Sequence, residues 1–386
     1  SIAGTAAGLV ALVRLRQPEA ETAPGDPPAI AGYDRRRFLR AGLAAAGVAV
    51  GAGGLGRLLA GRAGAAESRA STKLPEPAEP TPAPPADPAI DVAGLSLYRT
   101  PNDTFYRVDT ALFVPAVDAS DWSLRVHGMV DRELTLDLDG LLTRPMIERD
   151  ITLACVSNEV GGAYVGNATW LGTRLADLLD EAGVHVGATQ LVSRSADGFT
   201  IGTPTEVVMD GRDALLAVGM NGEPLPLEHG FPVRMVVPGL YGYVSAMKWL
   251  VDLELTTMES YDAYWITRGW AKEAPVKTQS RIDTPRNGAA VAAGRVAVAG
   301  VAWAQHRGIA RVELRIDGGP WFEADLAEPG TLDTWRQWVA AWDATPGTHT
   351  LAVRATDGEG EVQTDEPAPP FPDGATGHHA ITVDVT

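Results

Sequence analysis

The sequence predicts an α+β domain followed by an all-β sandwich, with transmembrane segments before them. Between residues 90 and 275, strand and helix patterns are mixed without regular alternation, which favours α+β over a doubly wound parallel sheet. From Arg281 onward, short alternating apolar runs lie between turn residues, as in a β-sandwich. Two apolar segments precede residue 66, and they account for the transmembrane part of the prediction.

The composition narrows the classes of partner and site. The chain has 386 residues, enough for two or three domains, and a formal net charge of −17. Binding to a nucleic-acid backbone requires a basic surface, so we expect no nucleic-acid partner. The sequence contains one cysteine, Cys155, which excludes an intrachain disulfide and a zinc site built from several cysteines.

The first part of the chain predicts attachment to a membrane. Residues 1–16 are apolar up to two arginines, and we expect them to be the end of a transmembrane helix. Residues 34–66 resemble a twin-arginine (Tat) export signal and anchor, because Arg35-Arg36-Arg37-Phe38-Leu39 precedes an Ala/Gly-rich stretch long enough to cross a bilayer. These features predict a cell-membrane protein with an extracytoplasmic catalytic domain. The alternative is two unrelated apolar segments.

Residues 67–89 are predicted to form an extended spacer. Seven prolines lie between Pro75 and Pro88, and proline has no backbone N–H to donate to a helix or sheet. We therefore expect this stretch to hold the globular part away from the membrane.

The domain predicted at 90–275 shows strand, helix and turn signals in succession. Alternation predicts strands, leucines at helical spacing before a glycine predict a short amphipathic helix, and Asp-Gly or Asn-Gly pairs predict hairpin turns. In chain order these are strands at Trp122–Val130 and Glu148–Cys155, a helix marked by Leu171, Leu175, Leu178 and Leu179, turns at Asp197-Gly198 and Asn221-Gly222, and buried strands at Pro232–Pro238 and Met247–Thr256.

The domain predicted at 276–386 resembles an immunoglobulin-like sandwich. Its signal is a series of short alternating runs separated by Gly, Pro and Asp turns. We expect this domain to be structural or to form a homodimer rather than to catalyse a reaction. The predicted strands are Arg295–Trp303, Ile309–Ile316, Trp335–Trp342, His349–Thr356 and Ala380–Val385.

Cys155 ends a predicted strand, and three roles suit a single cysteine in that place. It can be a small buried apolar residue, a nucleophile with a histidine partner close in space, or a soft thiolate ligand to a metal that a cofactor supplies. The residues around it do not decide between these roles by composition alone.

Residues 98–275 resemble the molybdopterin-binding domain of the sulfite oxidase family. Several separated motifs occur in the family's order, and the predicted sandwich resembles the dimerisation domain that follows in family members. The matching segments are Thr152–Asn158, Thr169–Gly172, Met220–Pro226, Glu228–Arg234, Val237–Gly239 and Lys248–Leu250. The resemblance covers about three quarters of the chain and implies a molybdenum-molybdopterin cofactor, with no haem in this chain.

The resemblance also implies roles for individual residues. Cys155 would ligate molybdenum and act in catalysis, and Arg107 would contact the cofactor or a substrate anion. Arginine and lysine make charge-assisted hydrogen bonds to an anion such as the pterin phosphate, and Lys248 with the backbone around Ser245 would hold that end. The full set of implied cofactor-binding residues is Phe105, Tyr106, Arg107, Asn158, Asp197, His229, Arg234, Ser245 and Lys248.

The sequence departs from the family at positions that contact sulfite. Val160 and Val244 stand where family members have arginines that hold the sulfite dianion, and Val108-Asp109 replaces an Asn-His pair. A family tyrosine of the active site falls at Trp270. A site with fewer guanidinium groups and with additional acidic residues at Asp109 and Glu159 would bind sulfite poorly.

We therefore expect a molybdenum-dependent oxidoreductase that transfers an oxygen atom to or from a small substrate and exchanges electrons with a cytochrome or a membrane subunit. A first alternative is a reductase of sulfoxides with the same cofactor. A second is a metal-free surface binding protein that keeps the fold. Cys155, His229, Arg234 and Lys248 argue against the second alternative, because such a protein has no physical need for a buried thiol and a cationic pocket.

Overall fold

The computed structural model describes residues 61–82 and 90–386. Ala65–Thr386 folds as one unit, and the description below concerns that unit. Predicted segment 1–16, most of 34–66 and residues 83–89 of the predicted spacer lie outside the described residues. Within the described part, no helix has both the length and the apolar character that crossing a membrane requires.

Residues 65–71 of this unit are helical, and ten strands and four short helices follow them in the first part of the unit. The strands are β1 (Ser123–Gly128), β2 (Leu134–Asp137), β3 (Ile147–Ala154), β4 (Val165–Arg174), β5 (Gln190–Ser195), β6 (Thr200–Pro204), β7 (Leu215–Met220), β8 (Glu223–Pro224), β9 (Arg234–Val236) and β10 (Leu250–Thr256). The helices are α1 (Leu138–Leu142), α2 (Leu175–Ala182), α3 (Thr205–Met209) and α4 (Gly242–Ser245), and single 3₁₀ turns occur at Leu227–His229 and Ile266–Arg268.

These strands form two sheets that share an apolar core. One sheet has the order β3-β4-β7-β8, with β9 also paired to β7, and the other has the order β2-β1-β10-β5-β6. Side chains alternate along β7: Leu216 and Val218 point into the core shared with β1 and β10, whereas Leu215 and Ala217 face a second core. Because both faces of β7 are buried, its sequence is a continuous apolar run rather than an alternating one.

The predicted α+β class is wrong, because the described chain is mostly sheet. The four helices between residues 138 and 245 contain only four to eight residues each. Leu171, the first residue of the predicted helix, lies in β4, and the helix begins at Leu175. The helical spacing of these leucines therefore crosses a junction between a strand and a helix. Short apolar runs fit either element, and here pairing with neighbouring strands places most of them in sheets.

The second part is a sandwich of two sheets, as the sequence predicts. One sheet has the order β11-β13-β17-β16 and the other the order β12-β19-β18-β14-β15. Apolar side chains such as Val298, Trp338 and Val353 fill the space between the sheets. The strands are β11 (Gln279–Thr284), β12 (Ala289–Val291), β13 (Gly294–Trp303), β14 (Ile309–Ile316), β15 (Phe322–Glu323), β16 (Asp325–Leu326), β17 (Arg336–Ala344), β18 (Gly347–Asp357) and β19 (His379–Val385).

The segment before residue 83 lies against the first sheet. The backbone N–H of Ala78 donates to the carbonyl of Met146 (2.8 Å), and Glu148 donates to the carbonyl of Glu79 (2.8 Å). The carboxylate of Glu79 pairs with Arg149 (2.6 Å) and Arg174 (2.8 Å). This part of the proline-rich segment is thus bound along the edge of β3.

Candidate active site

A cavity opens where the ends of β3, β5 and β9 meet the segment before β1. It encloses about 800 Å³ of space free of protein atoms, including its open mouth, which is within the usual range for a site that holds a small molecule. Seven of the ten predicted site residues line it: Phe105, Tyr106, Cys155, Asp197, His229, Arg234 and Lys248.

Cys155 is the first residue after β3, and its thiol faces the cavity. Its backbone N–H donates to the carbonyl of Tyr164 (2.9 Å), which continues the pairing of β3 with β4 beyond the last strand residue. Burial raises the pKa of the thiol, and hydrogen bonds from Ser157 oppose that rise only in part. A group that binds the thiolate form must therefore compensate for its desolvation.

Arg234 contributes a buried guanidinium to the lining of the cavity. The residue is 5% exposed, its Nη1 donates to the carbonyl of His229 (3.1 Å), and its Nε has no hydrogen-bond partner. The guanidinium lies over the ring of Trp170, 4.8 Å from the centroid. Burial lowers the pKa of Arg234 to about 10, since no carboxylate among residues 61–82 and 90–386 compensates for the lost hydration.

His229 is held as a neutral donor beside Arg234. Its Nε2 lies 3.0 Å from the carbonyl of Asn102, and because a carbonyl only accepts, the proton is on Nε2. Burial and the positive charge of Arg234 lower the pKa of His229 to about 4. The ring meets Phe105 edge to face at 5.6 Å, so its position is fixed by packing as well as by the hydrogen bond.

Phe105 and Tyr106 form an aromatic wall of the cavity. Their rings stack at 5.2 Å, and Phe105 packs edge to face on Trp170 at 5.9 Å. Gly166 in β4 leaves room for Phe105, since a Cβ there would lie 2.8 Å from the ring. Burial raises the pKa of Tyr106, so its hydroxyl stays protonated at neutral pH.

Lys248, Asp109 and Arg107 form a chain of ion pairs at the side of the cavity. One oxygen of Asp109, Oδ2, lies 2.9 Å from Nζ of Lys248 and 2.7 Å from Nε of Arg107. Burial lowers the pKa of Lys248 to about 8, although Asp109 opposes the change. Burial alone would raise the pKa of Asp109, but its hydrogen bonds with Arg107 and Lys248 hold it below its usual value.

Three predicted site residues lie outside the cavity lining. Arg107 is exposed and reaches the site only through Asp109. Asn158 uses its Oδ1 to accept the backbone N–H of Tyr164 (2.8 Å), which shapes the loop after Cys155. The hydroxyl of Ser245 lies between the carbonyls of Leu240 and Tyr241 at the start of α4. Each of these side chains supports a neighbouring residue rather than facing the cavity.

Sequence reasoning missed several residues that line the cavity. Tyr243, Trp249 and Trp265 add aromatic walls. Trp270, predicted at the place of an active-site tyrosine, lies behind them, with its ring 5.8 Å from Tyr243 and 6.3 Å from Trp265. The density of aromatic residues between Tyr261 and Trp270 was the available signal, because aromatic clusters often line ligand pockets.

The charges that line the cavity balance. Asp109 and Asp197 are acidic and Arg234 and Lys248 are basic, while His229 is neutral because its pKa is about 4. Asp109 already neutralises Lys248, whereas Arg234 contacts no carboxylate in the part of the chain that the structure describes. The cavity therefore offers one uncompensated buried cation, with an unused N–H donor, and one thiol. These features suit a ligand that carries acceptor groups or negative charge and a metal that accepts a thiolate.

Comparison with known proteins identifies two domain types in the chain. The family of the oxidoreductase molybdopterin binding domain matches residues 111–265, and the bacterial Ig domain matches residues 279–353. The first match contains Cys155 and the other cavity residues from Asp197 to Trp265. The second supports the interpretation of the sandwich as immunoglobulin-like.

Two sulfite oxidases are among the similar proteins. Mitochondrial sulfite oxidase of Homo sapiens is 33% identical over 321 residues, which cover 70% of this chain and 58% of the human protein. The sulfite oxidase of Gallus gallus is 32% identical over 324 residues, covering 70% of this chain and 69% of that protein. The chain thus spans little more than half the length of the human relative.

A solved structure shares the fold. The sulfane dehydrogenase SoxCD of Paracoccus pantotrophus superimposes with a TM-score of 0.61 and 24% identity, over 70% of this chain and 77% of the matched chain. At that level of identity the likeness concerns the fold alone.

Proposed function

The chain belongs to the sulfite oxidase family of molybdopterin-binding oxidoreductases, and from that membership we propose that it catalyses a two-electron oxygen-atom transfer on a small neutral substrate. One observation carries the proposal. The thiol of Cys155 and the buried, incompletely bonded guanidinium of Arg234 face the same cavity. A thiolate donor and an uncompensated cation are what a metal held by an anionic pterin requires.

The residues that line the cavity fit the molybdenum cofactor. Cys155 would bind the metal, and Arg234, His229 and Lys248 would donate hydrogen bonds to the pterin and its phosphate. Asp197 would accept from the pterin, since its carboxylate lines the cavity. When bound, the cofactor supplies the metal that gains or loses two electrons and an oxygen atom.

The protein prepares this site by burial and by fixed donors. Arg234 is held against Trp170 and the carbonyl of His229, so it needs little rearrangement to bind an anion. His229 keeps its proton on Nε2 by bonding to Asn102. The aromatic walls around Phe105 limit the entry of water, and hydrogen bonds to charged groups are stronger where water is excluded.

The proposed substrate is neutral because the cavity lacks the cationic excess that a dianion requires. Valines stand at positions 160 and 244, Val244 is buried away from the cavity, and Asp109 pairs with Lys248. A sulfite dianion would meet the carboxylates of Asp109 and Asp197, and both cations of the lining, Arg234 and Lys248, bind the cofactor in this proposal. A sulfoxide, which is neutral and presents one acceptor oxygen, fits the same surroundings better.

We place the reaction outside the cytoplasm and couple it to a redox partner. The Arg35-Arg36 motif supports export in the folded state, which suits a protein that receives its cofactor in the cytoplasm. The electrons would pass singly to or from a cytochrome or a membrane subunit. A homodimer through the sandwich is part of the proposal on the family resemblance.

Molybdenum content tests the cofactor. Protein produced in a host that makes the cofactor should contain about one molybdenum per chain, and Cys155→Ser should contain far less while keeping its circular dichroism spectrum. Tyr164→Phe is the matched control, since Tyr164 lies on the same loop and is 45% exposed. Folded wild-type protein without molybdenum would overturn the proposal and favour a metal-free binding protein.

A substrate comparison tests the rest of the proposal. Loaded enzyme should reduce or form a small sulfoxide with kcat/KM at least about tenfold above its value for sulfite, a factor that corresponds to 1.4 kcal/mol of transition-state binding. Equal or faster turnover of sulfite would contradict the neutral substrate but leave the cofactor assignment intact.

A further inference from the structure

The strand that leads to Cys155 is hydrogen-bonded to the sandwich at Thr152. The backbone N–H of Thr152 donates to the carbonyl of Asp333 (2.9 Å), and its own carbonyl accepts from Nε2 of Gln305 (3.0 Å). Its hydroxyl accepts the backbone N–H of Trp335 (2.8 Å) and donates to Asn167 in β4 (3.0 Å). Thr152 is 1% exposed, each of its polar atoms has a hydrogen-bond partner, and three of those partners, Asp333, Gln305 and Trp335, belong to the sandwich.

The loop that follows Cys155 is held by the same domain. Nη1 of Arg281 in β11 donates to the carbonyl of Gly162 (2.8 Å), and Nε of the same guanidinium bonds to Asp283 (2.6 Å), which fixes its direction. The ring of His379 in β19 fills the space beside Gly161, where any Cβ would overlap it. Gly161 also has a φ of +76°, a conformation that other residues adopt only at a cost.

Hydrogen bonds between residues close in sequence connect Cys155 to the loop that Arg281 holds. We call Thr152 and Gly162, where the sandwich bonds to this segment, the two anchors. The N–H of Asn158 donates to the carbonyl of Cys155 (3.0 Å), and the N–H of Gly162 donates to the carbonyl of Glu159 (2.8 Å). The N–H of Cys155 is itself bonded to Tyr164 (2.9 Å). A displacement of either anchor therefore reaches Cys155 through a few rigid peptide units rather than through a flexible linker.

We propose that the immunoglobulin-like domain sets the position of the Cys155 thiol by holding the chain on both sides of it. Gln305 and Arg281 are the positioning residues, one before and one after the cysteine. The domain thus has a part in the redox site itself, beyond the structural or dimer-forming role that its sequence suggests. A ligand atom must stay within a few tenths of an ångström of its place to bind a metal well, and two anchors restrict it more than one.

The burial of Gln305 indicates that its side chain is used for the hydrogen bond between the sandwich and the strand that leads to Cys155. The residue is 1% exposed. Among the described residues its Oε1 has no hydrogen-bond partner, whereas its Nε2 donates to the carbonyl of Thr152. A buried amide with an unsatisfied oxygen is costly, and methionine of similar size would avoid that cost. The amide is explained by the bond to the cysteine-bearing strand rather than by the stability of the sandwich.

The test measures the mobility of the thiol in the full metal-free chain. Gln305→Met removes the upstream bond with little change in volume, and Arg281→Ala removes the downstream one. Gln305→Met should raise the rate at which iodoacetamide alkylates Cys155 under native conditions by about fivefold, the effect of one neutral hydrogen bond. Arg281→Ala should raise it by at least about tenfold, because a hydrogen bond from a charged guanidinium contributes more, and the double variant should show a larger rise than either. Arg281→Lys, which keeps a donor, should restore part of the protection.

A control variant separates positioning from general stability. Arg354→Gln breaks an ion pair with Glu313 (2.8 Å) on the other sheet of the sandwich, and it should lower stability towards urea without changing the alkylation rate. Alkylation at the wild-type rate in both Gln305→Met and Arg281→Ala would overturn the proposal. The proposal would also be overturned if the alkylation rate rose in proportion to the loss of stability towards urea in every variant, including the control.

A second readout uses the molybdenum-loaded protein. The g values of the molybdenum(V) signal depend on the orientation of the thiolate, so they should shift in Gln305→Met and Arg281→Ala but not in Arg354→Gln. If Gln305→Met does not fold, Arg281→Ala and Arg281→Lys decide the question. If the proposed function fails, the wild-type protein holds no molybdenum, and the alkylation rates still decide whether the sandwich positions the thiol.

Discussion

Replacing Arg234 with methionine should make the metal-free protein more stable and at the same time remove its ability to hold a pterin cofactor. Most substitutions of buried residues destabilise a protein, so the expected direction is unusual. The reason is that the guanidinium is buried, and within the described residues it has no carboxylate partner and its Nε has no hydrogen-bond acceptor. Such a group costs stability until an anionic ligand compensates for it.

The magnitude follows from the pKa and the remaining contacts. Burial lowers the pKa of Arg234 from its ordinary value to about 10, which corresponds to about 3 kcal/mol against the charged form. The hydrogen bond to His229 returns about 1 kcal/mol, and the contact with Trp170 returns about 1 kcal/mol. Methionine avoids all three effects, so we expect a net gain of about 1 kcal/mol in the free energy of unfolding at pH 7.

Urea unfolding of metal-free protein measures this gain. Arg149→Met is the matched control, because Arg149 is paired with Glu79 (2.6 Å) and Asp213 (2.6 Å) and its loss should destabilise. In loaded preparations, Arg234→Met should contain little molybdenum, whereas Arg149→Met should contain nearly the wild-type amount. The reasoning is refuted if Arg234→Met destabilises the metal-free protein as much as Arg149→Met does, since the guanidinium would then be satisfied without a ligand.

Three further perturbations test individual contacts. Asp109→Asn removes the carboxylate that pairs with Lys248, so sulfate should bind at least about tenfold more tightly than to the wild type at pH 6, and the affinity should decrease as pH rises towards 8. Calorimetry that finds the wild-type affinity for sulfate would contradict this prediction. Because the pKa of His229 falls from 6.5 to about 4 on folding, the free energy of unfolding should decrease as pH falls from 6.5 to 4. His229→Gln should reduce this pH dependence in urea unfolding, and equal pH dependence in the variant and the wild type would show that His229 is not its cause. Ionised Glu79, whose pKa is about 2, pairs with Arg149 and Arg174. Glu79→Gln should therefore release the segment before residue 83 and accelerate its cleavage by trypsin, and an unchanged cleavage rate would contradict the anchoring role of Glu79.

Local chemistry made the motifs of the site predictable. Asp197-Gly198 and Asn221-Gly222 were predicted as hairpin turns, and they lie between β5 and β6 and between β7 and β8. The alternation before Cys155 predicted β3 nearly to its ends. Such signals depend on a few neighbouring residues, so they are readable without the rest of the fold.

The fold class was not predictable in the same way. Leu171 and Leu175 are four residues apart, as in a helix, yet the first lies in a strand. Its place depends on the pairing of β4 with β7, where Leu171 is opposite Gly219. Strand pairing joins residues far apart in sequence, and a short local pattern carries no information about that register.

The order of its motifs was enough for the sequence alone to identify the family. Tertiary structure decided which side chains face the cavity: it turned Asn158 and Ser245 to support neighbouring backbone and placed Trp265 in the wall. It also placed Asp109 on Lys248 and bound both flanks of the cysteine to the sandwich. The physical reason is that side-chain direction, burial and partners depend on packing between distant segments, whereas a sequence motif specifies only which groups are available.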